Sequence, residues 1–131
     1  MTLVGFDTST PATSACVLRD DGRAFEVTPE PGRLLEPPGH SRELLPAVAG
    51  AMARARVAWP DVDAVAVGVG PGTFTGLRIG IATARALAAA RSIPVHPVSS
   101  LAAPRPTMSM FSCATIESRG TVGWSVYHSD P

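Results

Sequence analysis

Residues 62–69, Val-Asp-Ala-Val-Ala-Val-Gly-Val, make a nearly unbroken apolar run rich in β-branched side chains, the pattern of a strand covered on both faces. Such a strand belongs at the centre of a sheet. Gly70-Pro71-Gly72 stops it, Thr73 or Thr75 can cap the next element, residues 77–91 are good helix formers, and residues 93–98 read as strand again. Upstream, residues 3–6, 13–18 and 24–27 read as a β-meander, with Asp21-Gly22 suited to a two-residue hairpin turn. Pro29, Pro31, Gly32, Pro37, Pro38 and Gly39 mark a loop. Ser41 is a candidate N-cap for an amphipathic helix carrying Leu44, Leu45, Val48, Ala49 and Met52, with Pro46 near its first turn. The order, a meander followed by helix, strand, helix, strand, predicts an α/β fold with a mixed sheet crossed by helices. After Pro104 the pattern loosens, and residues 113–116 and 122–127 read as a hairpin turning near Arg119-Gly120.

The chain has 131 residues, 45% of them hydrophobic and 17% charged, so it carries enough apolar surface to offset the entropy of folding. Eleven basic side chains against eleven acidic ones leave no net charge, and the broad positive field that grips nucleic acid unaided is absent. All eleven basic residues are arginines, which excludes chemistry based on a lysine amine. The most apolar stretch, residues 77–90, is short and carries Arg78 and Arg85, and no basic leader precedes Asp7. A cytoplasmic protein without a membrane span is expected. Cys16 and Cys113 match neither a metal pair nor a redox pair and are expected as buried thiols.

Two segments could carry chemistry. Asp7, Thr8 and Ser9 close the first strand with a carboxylate and two hydroxyls, a set that could hold a metal-bound phosphate, although a plain Asx or Ser/Thr turn explains it equally. Gly70, Pro71, Gly72 and Thr73 open a helix, where backbone N–H groups attract anions, but a tight strand-to-helix turn needs the same residues. A Walker loop fails because Leu77 follows Gly76, and a dinucleotide fingerprint meets Thr73 or Thr75 where its third glycine belongs. There is no Gly-x-Ser-x-Gly elbow, and His40, His96 and His128 show no ligand spacing. No catalytic set and no metal site is expected. The second helix places Leu77, Ile81, Ala84 and Leu87 on one side, with Ile79, Ala82, Ala86 and Ala90 on others. Its Gly76, Gly80, Ala84 and Ala88 form a ridge that would let another helix approach. The ridge predicts an intermolecular helix pair; the alternative is a helix sandwiched inside its own domain.

Three strings, Phe6-Asp7-Thr8-Ser9-Thr10, His40-Ser41-Arg42-Glu43-Leu44-Leu45-Pro46 and Gly70-Pro71-Gly72-Thr73-Phe74-Thr75-Gly76-Leu77-Arg78-Ile79-Gly80, resemble the TsaB (YeaZ) family, the dimerization subunit of bacterial tRNA threonylcarbamoyladenosine synthesis. The likeness runs over residues 3–103 and resumes weakly at Ile116 and Trp124. It implies a ribonuclease H-like lobe of the actin, sugar kinase and Hsp70 ATPase superfamily over residues 1–103. Residues 104–131 would be the truncated start of a second lobe, as a hairpin or a disordered tail. It also implies a non-catalytic subunit that activates a catalytic paralogue, TsaD, alongside an ATPase subunit, TsaE, with a homodimer in isolation and only indirect contact with tRNA. TsaD carries a metal-binding His-x-x-x-His after the strand equivalent to residues 93–98, where this chain has Ser100 and Pro104. The resemblance puts Leu45, Val48, Met52, Leu77, Arg78, Gly80, Ile81, Ala84, Arg85 and Ala88 at the pairing interface, and Ile81→Asp is expected to abolish pairing while sparing the fold. No cofactor of its own is implied; ATP is expected, if anywhere, at the complex or weakly in the cleft. The competing expectation is a weak nucleotide hydrolase using Asp7 and the Gly70 loop, or a glycoprotease-like peptidase.

Overall fold

A computed structural model describes residues 1–27, 32 and 35–99, together with the backbone of two short strands, 113–116 and 122–125. The meander is β1 (Leu3–Asp7), β2 (Ser14–Leu18) and β3 (Ala24–Val27); then come α1 (His40–Ala55), a 3₁₀ turn at Trp59–Asp61, β4 (Ala64–Gly68), α2 (Phe74–Arg91) and β5 (Val95–Val98). The five strands form one sheet in the order β3-β2-β1-β4-β5. β1 pairs antiparallel with β2 (Val4 opposite Val17) and parallel with β4 (Val4 opposite Val65), and β4 pairs parallel with β5. β4 lies inside the sheet with all five of its residues buried, as its unbroken apolar run predicts.

Alternation along the strands divides the side chains between the two faces of the sheet. Val4, Phe6, Val17, Val65 and Val67 point to one face and meet Leu44, Val48, Ala51, Met52 and Ala55 of α1 and Ala84 and Ala88 of α2. Burial of a side chain the size of valine or phenylalanine contributes roughly 1.5–3 kcal/mol, so this layer supplies most of the stability. Leu3, Ala64, Ala66 and Val98 occupy the other face. The backbone of β6 (Cys113–Ile116) and β7 (Val122–Ser125), an antiparallel hairpin, lies against β1, β2 and β5. Cys16 is a buried free thiol, as expected; the side chain of Cys113 lies outside the described residues, as do the turn at Arg119-Gly120 and His128. The division into residues 1–103 and 104–131 falls largely on residues outside that description.

Local details depart from expectation for physical reasons. The first hairpin turns through three residues, not two: Arg19 N–H donates to the Arg23 carbonyl (2.9 Å), and Gly22 N–H donates to the Arg19 carbonyl (3.0 Å). Gly22 takes φ +82°, the left-handed residue that follows a type I turn in a three-residue loop. α1 starts one residue before Ser41, after Gly39, and lacks a side-chain cap. Pro46 therefore lies beyond the first turn, and its missing N–H leaves the Arg42 carbonyl on the exposed side of the helix, within reach of water. α2 starts three residues before Leu77, because Thr73 caps it: the Thr73 hydroxyl accepts from Gly76 N–H at 3.3 Å. Among the described residues no helix is long and apolar enough to cross a membrane.

Candidate functional site

Three chain segments meet at the carboxyl edge of β1 and β4. Asp7 ends β1, and its Oδ1 accepts from Ser9 N–H at 2.8 Å, closing an Asx turn. That turn aims Thr8 inward: fully buried, it donates its hydroxyl to the Gly76 carbonyl at 2.5 Å. Thr73 N–H reaches back to the Ser9 carbonyl (3.3 Å), joining the loop before α2 to the turn after β1. From the third segment comes His40, the first residue of α1, buried with its Nδ1 2.6 Å from the buried Thr13 hydroxyl. Its Nε2 edge lies against Gly76, so α1 and α2 begin at the same end of the sheet.

Glycines make this approach feasible. A methyl group added at Gly68 would overlap the Asp7 carboxylate, at Gly72 the Ser9 backbone, at Gly76 the Thr8 carbonyl, and at Gly80 the Thr8 hydroxyl. Gly70 takes φ +97°, a conformation that favours glycine for a different reason. The candidates Asp7, Thr8, Ser9, Gly70, Pro71, Gly72 and Thr73 do come together. Much of the polar capacity of the turn and the helix start is spent on bonds between the segments.

The residues assigned to pairing divide in two. Val48, Met52, Gly80, Ala84 and Ala88 are buried within this chain. Leu77 and Ile81 are half-buried, and Ile81 packs against the chain's own core. The small-residue ridge of α2 therefore faces its own sheet and the Thr8 turn, which corrects the reading that it receives a partner helix. Ile81→Asp would strike the fold as well as any pairing. Leu45, Arg78 and Arg85 are exposed. Sequence reasoning missed Gly68, Thr13 and His40 as members of the junction, and also Phe74, which is 74% exposed beneath the guanidinium of Arg78 (5.2 Å). The four-residue spacing of Gly68, Gly72, Gly76 and Gly80 was the available signal.

Among the described residues, no group of three or more His, Cys, Asp or Glu side chains could hold a metal ion. Ser100 and Pro104 lie outside them.

A mixed sheet of order β3-β2-β1-β4-β5, a meander followed by two helical crossovers and a turn at the end of β1 facing a glycine loop, defines a lobe of the actin, sugar kinase and Hsp70 ATPase type. Residues 37–112 match the family model described as TsaD, tRNA N6-adenosine threonylcarbamoyltransferase. YeaZ from Pseudomonas aeruginosa is 44% identical, with a TM-score of 0.67 over 77% of this chain and 44% of that one. A second solved structure, described as similar to peptidase YeaZ of that organism, gives the same identity and coverage with a TM-score of 0.69. Uncharacterized proteins of Mycobacterium leprae and Mycobacterium tuberculosis are 43% and 39% identical over 76% of the chain. The chain spans 27% and 46% of those relatives' lengths. The chain belongs to the TsaD family, on its YeaZ (TsaB) branch, and that family serves tRNA modification.

Proposed function

We propose that this chain is a non-catalytic docking subunit. Its helical layer pairs with a larger catalytic relative of the TsaD kind and supports transfer of a threonylcarbamoyl group to an adenosine of tRNA. One observation carries the reading: Phe74 and Leu45, 74% and 57% exposed, stand near the starts of α2 and α1 at the same end of the molecule. Large apolar side chains held out on adjacent rigid helices suit a protein interface. The junction behind them is occupied by its own hydrogen bonds, which suits a scaffold better than a reaction centre. Reconstitution tests the proposal. Adding the purified chain to its purified TsaD-type relative, with the ATPase subunit, should form a complex and raise the modification of tRNA; absence of both effects contradicts it.

A second reading rests on the turn that follows Asp7 lying against the Gly70 loop, where Ser9 meets Gly72 and Thr73, an arrangement a weak nucleotide hydrolase would use. It requires ATP turnover by the isolated chain that disappears in Asp7→Ala. Turnover equal in the two proteins dismisses it.

A further inference from the structure

The end of the sheet opposite the Asp7 junction holds a cavity of about 400 Å³, within the range of roughly 300–1,000 Å³ common for small-molecule sites. Four segments close around it: the residues before β1, the β2–β3 turn, the exit of α1 and the 3₁₀ turn leading into β4. Arg19, Arg56, Asp20, Asp61 and Asp63 line it, so both signs of charge share one space. They do not neutralise one another there. The Arg56 side chain makes no hydrogen bond or ion pair among the described residues, although three carboxylates line the same cavity. Arg19 pairs instead with Asp21, which is not part of the lining (3.5 Å).

The walls are fixed from behind. Asp63 Oδ2 accepts from Thr2 N–H at 2.8 Å, and Asp63 N–H donates to the Thr2 carbonyl at 2.9 Å. Asp61 Oδ2 accepts from Ala58 N–H at 3.0 Å, and Arg19 Nη1 donates to the Ala55 carbonyl at 3.2 Å. Each anchored carboxylate spends one oxygen on the backbone, and nothing among the described residues occupies the other. Arg56 follows α1 at φ +54°, where glycine is most at ease, so an arginine is kept there against a backbone cost.

We infer that this cavity binds a small zwitterion of the amino-acid class, with its carboxylate on Arg56 and its ammonium on Asp61 and Asp63. A ligand with one charge of each sign satisfies both kinds of wall at once, and anchored walls reduce the ordering that binding costs. Val57 and Pro60, also in the lining, offer apolar area to a side chain. A metal ion fits less well, since among the described residues no group of three His, Cys, Asp or Glu could hold one, and a bare anion would meet the three carboxylates. A plain solvated cleft would leave its charged side chains loose, whereas three of the five here are tied to the backbone. The site is independent of the docking role, because Leu45 and Phe74 stand near the starts of α1 and α2, at the other end of the sheet.

Titration of the purified chain with each standard amino acid in turn, followed by amide chemical shifts, tests the inference. Saturable shifts at Arg56, Val57 and Asp63 are expected for at least one amino acid, with a Kd of about 1 mM or tighter. The amide and the N-acetyl derivative of that amino acid have each lost one charge and should each bind about tenfold more weakly or worse. Arg56→Gly should lower the affinity about tenfold or more while the unfolding midpoint holds or rises, because glycine takes the left-handed backbone freely. Asp63→Asn keeps an oxygen for Thr2 N–H and should lower the affinity by a similar factor. Absence of saturable shifts with every amino acid overturns the inference. So does equal binding of the two blocked derivatives and the free amino acid, or binding that survives both substitutions.

Discussion

The two faces of α2 are built from equally small residues for opposite reasons. Inward, Gly76 and Gly80 are small because the Thr8 turn occupies the space a methyl group would need, and Ala84 and Ala88 are buried further along the same side. Outward, Ala82, Ala86 and Ala89 are exposed and sit between arginines. A small residue in a helix therefore means close approach only where something approaches, and the difference can be measured.

Gly76→Ala should have the largest effect. In an exposed helix that exchange stabilises by up to about 1 kcal/mol, but here the new methyl group meets the Thr8 backbone, which cannot rotate away, so a loss of about 3 kcal/mol is expected in denaturant unfolding. A stabilised variant would mean that the inward face is not packed as described. Thr8→Val keeps the volume and removes the hydroxyl that donates to the Gly76 carbonyl, and should cost about 1.5 kcal/mol by the same measurement. No change would remove that bond from the account of the junction. Smallest is Ala82→Gly, expected to cost about 0.8 kcal/mol through backbone entropy alone. A much larger loss would place Ala82 in a contact inside the chain and erase the contrast between the two faces.

Much of the fold was legible because strands carry their instructions locally. The unbroken run at β4 and the short apolar runs at β1 and β2 mark those segments as strands, and the element order then constrains the sheet that they form. Helix starts were less legible. Gly39 precedes α1 without offering a side-chain cap, so Ser41 drew the boundary inward, while Thr73 was readable as a cap and does cap α2. The hairpin at Asp21-Gly22 gained a residue because one left-handed glycine serves a three-residue loop as well as a two-residue one.

The candidate site was legible as segments and not as a junction. Asp7, Thr8 and Ser9 and the Gly70 loop stood out separately, but periodicity reports which residues of a helix share a side and not what lies across from them. For that reason the Gly76, Gly80, Ala84, Ala88 ridge predicts a partner helix from spacing alone, whereas what lies across from it is the Thr8 turn and the chain's own sheet. His40 and Thr13 lie 27 residues apart, and no local pattern joins them. Phe74 escaped notice because the helix was expected to start after it.

Docking through the outer helical face is the central claim, and Phe74→Asp tests it most directly, since that side chain is 74% exposed and its loss should leave the core intact. Calorimetric titration of the purified chain with its TsaD-type relative should show an affinity loss of about a hundredfold for Phe74→Asp. The unfolding midpoint should stay at the wild-type value. Binding that survives Phe74→Asp unchanged, in a protein that remains folded, would contradict the account.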